Sequence, residues 1–116
     1  MDFMALSDTE IIELATPLMD SLMDASTNID YEAHIKDFST RLLGQISKDR
    51  FIEMCKRYQD EIGFLKEREL VGVFKRPNSA VVIWKQHLSK AQGEFVAEMV
   101  LVKEDDKFKV DHALFF

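Results

Sequence analysis

Few residues in this chain have the type and spacing to do chemistry, and His112 is the first of them. It stands in an alternating C-terminal run in which Phe108, Val110, His112, Leu114 and Phe116 share one side, opposite Lys107, Lys109 and Asp111. Imidazole titrates near neutrality, so a histidine on the apolar side of a strand could serve as general acid or base in a pocket. Tyr58, Trp84, Gln86 and Cys55 are candidates to line the same pocket, between strands and helices. Such chemistry also wants a carboxylate nearby, and Glu98 and Asp111, the nearest acids, alternate onto the opposite side. A histidine satisfied by a backbone carbonyl is the plainer expectation.

The remaining candidates are weaker. His34 and His87 have no partner at ligand spacing, and Asp105-Asp106 reads as a hairpin tip, so no metal site is expected. Cys55 lies beside Lys56 and Arg57, but a free thiol in a helix is more often buried and inert than nucleophilic. Gly44, Gly63, Gly72 and Gly93 compose no phosphate-cradling loop, and no cofactor is expected. Lys66, Arg68, Lys75, Arg76 and Lys85 alternate with Phe64, Phe74 and Trp84, a pattern that could hold single-stranded nucleic acid. Cross-strand pairing with Glu67 and Glu69 is the commoner use of such residues.

The elements that must position these residues fall into a helical half and a strand half. Ser7-Asp8-Thr9-Glu10 has the form of a capping box, and Ile11, Leu14, Ala15, Leu18 and Leu22 follow at helical spacing. Pro17 removes a backbone donor, so a kink or break is expected near Glu13. Asn28 or Asp30 could cap a second helix with Tyr31, Ile35, Phe38 and Leu42 as its stripe and Gly44 as its end. Ser47 opens a third, with Phe51, Met54 or Cys55, Tyr58 and Ile62 on one side and Gly63 as its stop. Beyond Gly63 the period changes to two, and turns at Arg76–Ser79, Ser89–Gly93 and Glu104–Lys107 divide the rest into four strands. These run roughly over Phe64–Lys75, Ala80–Leu88, Glu94–Lys103 and Lys107–Phe115, with Gly72 marking a bulge in the first. Connections this short make the neighbours antiparallel.

The predicted fold is α+β: three N-terminal helices packed on a curved four-stranded antiparallel meander, a single domain over residues 1–116 with helices at about 7–62 and strands at about 64–116. At 116 residues and 47% hydrophobic composition one core is the expectation. The longest stretch without Asp, Glu, Lys or Arg is eight residues, Pro77 to Trp84, against about 20 for a membrane span. No membrane association is therefore expected. The Met1-Asp2-Phe3 start has no secretory pattern, and a cytoplasmic location follows as the expectation. A formal charge of -6 makes a nucleic-acid partner unexpected. Residues 1–40 hold nine acids and one base, Lys36; this is either the solvated side of the helices or a docking surface for a basic protein.

In the third strand Phe95, Ala97, Met99 and Leu101 share a side, and Val96, Val100 and Val102 share the other with Glu94 and Glu98. The second strand is apolar on both sides, Val81 and Ile83 on one, Val82 and Trp84 on the other. The outer side of the sheet thus carries an apolar patch, with Val96, Val100 and Val102 as candidates for a homodimer interface. The alternative is that the N-terminal tail or first helix folds over it.

Several segments resemble the nuclear transport factor 2-like superfamily of the cystatin-like fold. They are Ala25-Ser26-Thr27-Asn28-Ile29-Asp30-Tyr31, Phe38 with Ser47 and Phe51, Ile62-Gly63, Val81-Val82-Ile83-Trp84-Lys85, and Lys107-Phe108-Lys109-Val110-Asp111. The resemblance spans nearly the whole chain but includes no catalytic motif, and the short hairpin that classical members insert among the helices has no room here. It implies a conical pocket and frequent dimers without implying one reaction. The expected role is a non-catalytic binding or assembly module, homodimeric through the sheet, with a small apolar ligand or a protein as further partner. The alternatives are a small pocket enzyme of isomerase or dehydratase type using His112, and an acidic interaction adaptor.

Overall fold

The computed structural model describes residues 2–116. After a 3-10 turn at Phe3–Ala5 come α1 (Asp8–Thr27), α2 (Tyr31–Ile35) and α3 (Lys48–Ile62), then β1 (Leu65–Lys75), β2 (Ala80–Leu88), β3 (Phe95–Glu104) and β4 (Lys107–Phe115). The strands pair antiparallel in the order β1-β2-β3-β4. Three helices therefore pack on a four-stranded antiparallel meander that is not closed into a barrel.

The helix starts follow the capping side chains. Ser7 Oγ accepts from the Glu10 amide at 3.1 Å and Glu10 Oε1 from the Ser7 amide at 3.0 Å, a complete capping box. Asp30 rather than Asn28 caps α2, and Ser47 caps α3. α1 runs unbroken through Pro17, so of the expected kink or break the break does not occur. Pro17 and Glu13 are both exposed, so the carbonyl that loses its donor faces water, where the loss costs least. α2 is shorter than predicted. It stops at Ile35, and Phe38 instead makes a parallel bridge to Val110 of β4. The Ser39 amide donates to the Val110 carbonyl and the Val110 amide to the Asp37 carbonyl, both at 2.8 Å. Two strand-type hydrogen bonds and a buried Phe38 replace the last turns of a helix.

The core lies between α1 and the middle strands. Ile11, Ala15, Met19 and Leu22 of α1 meet Val82, Trp84, Ala97, Met99, Leu101 and Val110 of the sheet. β2 alternates without fault, with Ala80, Val82, Trp84, Gln86 and Leu88 all buried. Phe3 joins this side of the sheet, edge-on to Phe108 with centroids 5.8 Å apart. The N-terminal turn thus seals the helix side and does not fold over the outer face.

The acids of the first 40 residues are largely engaged within the fold. Asp2 and Asp30 cap, Glu10 closes the capping box, Asp8 pairs with Lys75 at 3.3 Å, Asp20 with Arg68, and Glu32 lies 3.9 Å from Lys48. Six of the nine therefore have local structural work.

Candidate functional site

One bulge decides where the chemistry-bearing residues sit. Val100 opposes His112 and Leu101 opposes Val110, so Asp111 is an extra residue in β4. Strict alternation puts His112 on the helix side with Val110. The bulge reverses that, and Ala113 and Phe115 pack on the core while His112 turns to the outer face. There Nε2 of His112 lies 3.0 Å from Oε1 of Glu98. The predicted sidedness of His112 is thus corrected, and so is its separation from Glu98.

Asp111 holds the bulge from the other direction. Its Oδ1 accepts from Ser39 Oγ at 2.6 Å and from Arg41 Nε at 3.0 Å, and Arg41 also donates to the Asp111 carbonyl. Ser39 is fully buried and its Oγ accepts from the Leu42 amide at 3.1 Å. Partial burial pushes the Asp111 carboxyl up, but the Ser39 and Arg41 contacts outweigh it and hold the group below its ordinary value.

The pocket candidates lie on the helix side, apart from His112. Tyr58 and Cys55 of α3 meet at Ser26 of α1: the Ser26 and Tyr58 hydroxyls are 2.6 Å apart, and Cys55 Sγ is 3.5 Å from Ser26 Oγ. Tyr58 stacks edge-on against Phe115, centroids 5.0 Å apart. Cys55 is buried and burial pushes its thiol up, away from the reactive thiolate. Trp84 is covered by Arg68, whose guanidinium sits 5.3 Å from the indole centroid and reaches across to the Thr16 carbonyl and Asp20 of α1. Gln86 is fully buried and its amide donates to the carbonyls of Lys66 and His87, each at 2.9 Å. The five candidates therefore divide between two faces of the sheet and do not form one constellation. The sequence reading missed Arg68, Ser26 and Phe115 as their neighbours. The one sign of Phe115 was that both parities after Asp111 are apolar.

Among the described residues no group of three or more His, Cys, Asp or Glu side chains could hold a metal, and no helix is long and apolar enough to cross a membrane. Two open recesses lie at the Phe3 end of the sheet, near Pro77, Lys103 and Phe108, away from Tyr58 and Trp84.

His34 has a structural place. Its ring lies 4.5 Å from that of Phe51 and 5.3 Å from that of Phe38, with Nδ1 buried and unpartnered among the described residues. Burial, only partly offset by the Leu22 backbone, holds its pKa below the ordinary value of 6.5. The folded state thus favours neutral imidazole, and the unfolded chain binds the proton more readily. This contribution is complete above pH 6.5 and is lost as pH falls toward and through the depressed folded value. Urea midpoints should drop between pH 7.5 and 5.5, and the His34→Phe variant should lose part of that drop. An equal drop in both proteins would remove His34 from the account.

The three valines of the predicted interface share the outer face. Val96, Val100 and Val102 oppose Lys85, Val81 and Lys109, and Ile83 opposes Glu98. Phe74 of β1 and Leu114 of β4 extend the patch, 55% and 48% exposed.

No protein-family model matches the chain, and no curated protein matches it in sequence. Solved structures do match in fold. An NTF2-like (nuclear transport factor 2-like) protein of unknown function from Silicibacter pomeroyi is 16% identical, covering 96% of this chain and 98% of that one at a TM-score of 0.61. Another from Pseudomonas putida is 14% identical, covering 92% and 86% at 0.58. A provisionally named calcium/calmodulin-dependent protein kinase type II association domain from Thiobacillus denitrificans is 10% identical, covering 86% and 91% at 0.61. With the helix-on-meander architecture, these likenesses show that the chain has the nuclear transport factor 2-like fold.

Proposed function

We propose that the chain is a non-catalytic assembly module that works as a homodimer, its two copies meeting through the outer face of the sheet. The observation that carries this is the set of apolar side chains Phe74, Val81, Ile83, Val96, Val100, Val102 and Leu114 on the outer face, with every helix packed on the opposite side. A patch of this kind costs free energy while it faces water. Its charge favours a second copy as the occupant. Three acids on the face have a basic neighbour: Glu69 with His87, Glu94 with Lys85, Glu98 with His112. Two like faces can meet without excess charge, whereas the helix side carries most of the acids of residues 1–40. The shared fold with a protein named as an association domain fits the same reading.

Sedimentation over a wide concentration range tests it. Wild-type protein should reach twice 13.5 kDa. Val100→Asp adds a carboxylate inside the contact, on the face that already holds Glu98, and should cost about 2 kcal/mol or more, roughly thirtyfold in dissociation constant. Wild type that stays monomeric throughout would refute the proposal.

A further inference from the structure

The outer face has a polar pair near its centre. Glu98 is flanked across the strands by Ile83 and Leu114, and His112 by Val100. Their side chains are 27% and 42% exposed, so both keep part of their water. On the homodimer reading, which this inference rests on, a second copy would strip that water away. With a neutral imidazole, the covered carboxylate would be left charged in apolar surroundings with one neutral donor. With an imidazolium, two opposite charges would be covered together, and their attraction grows as water leaves. Bringing two copies together therefore favours the protonated histidine.

We infer that dimerisation of this chain is proton-linked, with the Glu98–His112 pair of each copy taking up the proton, so that the dimer tightens as pH falls from about 8 to about 6. While Nε2–H donates to Glu98, the arriving proton comes from solvent and binds Nδ1, and no bond other than N–H forms.

The other charges facing this pair do not supply the same change. Lys109 on β4, Lys85 on β2 and Arg41, which holds Asp111 beside His112, are lysine and arginine side chains, a kind of group that does not exchange protons near neutrality. Asp111 is held ionised by Ser39 and Arg41, and Glu94 is paired with Lys85. His87 is the other imidazole of this face, but its partner Glu69 is 64% exposed and keeps its water. His34 lies on the helix side, between Phe38 and Phe51.

The test is the dimer dissociation constant of the full chain at pH 8, 7 and 6, with circular dichroism confirming the fold at each pH. Wild type should tighten at least about tenfold over this range, the limit being tenfold per pH unit for each proton bound. His112→Gln should flatten the dependence, His87→Gln should keep it, and Glu98→Gln should reverse its sign because the imidazolium would be covered alone. A wild-type dimer whose affinity ignores pH overturns the linkage and leaves the dimer standing. Linkage that survives in His112→Gln, or vanishes in His87→Gln, overturns the assignment to this pair. A chain that stays monomeric at every pH overturns the homodimer reading itself.

Discussion

Replacing Gly63 by alanine is expected to cost about 3–5 kcal/mol, a large part of what holds a domain of this size together. Gly63 ends α3 at φ 86° and ψ -149°, a conformation essentially reserved for glycine. A Cβ there would stand 2.2 Å from Ser89 Oγ and 2.8 Å from the Lys90 amide nitrogen. Neither atom is free to retreat. Ser89 Oγ accepts from the Phe64 amide at 2.8 Å, and the Lys90 amide donates to the Ile62 carbonyl at 3.1 Å. The substitution therefore strains the backbone and also pries the end of α3 from the β2–β3 connection. Gly44→Ala separates the two effects. Gly44 also has a positive φ, 85°, but nothing lies within 4 Å of its would-be Cβ. Only the conformational cost of about 1–2 kcal/mol should be felt there. Urea midpoints of the two variants measure the difference. Equal losses would mean that the close approach to Ser89 and Lys90 contributes nothing.

Much of this architecture is legible in the sequence because it is set by local chemistry. Ser7, Ser47 and Gly63 mark helix ends through side-chain acceptors or a positive φ, and each acts within a few residues of itself. The hairpin at Glu104–Lys107 turns through Asp105 and Asp106 at φ 51° and 63°, a left-handed pair that short polar side chains tolerate. The misreadings of Phe38 and His112 share one distant cause. Phe38 has helical spacing with Tyr31 and Ile35, yet it leaves the helix because Val110, far along the chain, offers a bridge. His112 has the alternation of an inward residue, yet Asp111 bulges because Ser39 and Arg41 hold it from that same segment. No window of local sequence contains both partners of either contact. The site inherits this: the acid that meets His112 could not be read without knowing that the strand slips by one residue. The outer valines were readable because β3 has no bulge before Val100.

The bulge at Asp111 therefore carries a second prediction. Asp111→Ala should lower stability by about 2–4 kcal/mol. The fully buried Ser39 hydroxyl would lose its only carboxylate acceptor, and Arg41 would lose its side-chain partner on β4. Asp111→Asn should fall between the two, since an amide oxygen can still accept from Ser39 but carries no charge for Arg41. The pH dependence follows from the depressed carboxyl. A group whose pKa is lower folded than unfolded stabilises fully above its unfolded value, near 3.8, and the contribution fades as pH falls through the folded value. The gap between wild type and Asp111→Ala should thus be widest at pH 7 and narrow below pH 3.8, as urea midpoints across that range would show. The same variant bears on the face that His112 occupies. Without Asp111 to fix the extra residue, β4 can slip by one, which would carry Ala113 and Phe115 outward and His112 into an apolar layer. That register strands an imidazole beside Met99 and Leu101 with no acid in reach, so the variant should hold the bulge with less margin rather than exchange one sheet for another. Amide exchange at residues 110–113 would then quicken in Asp111→Ala ahead of the rest of β4. Uniform quickening along the strand would show that Asp111 supports the whole sheet and not the bulge in particular.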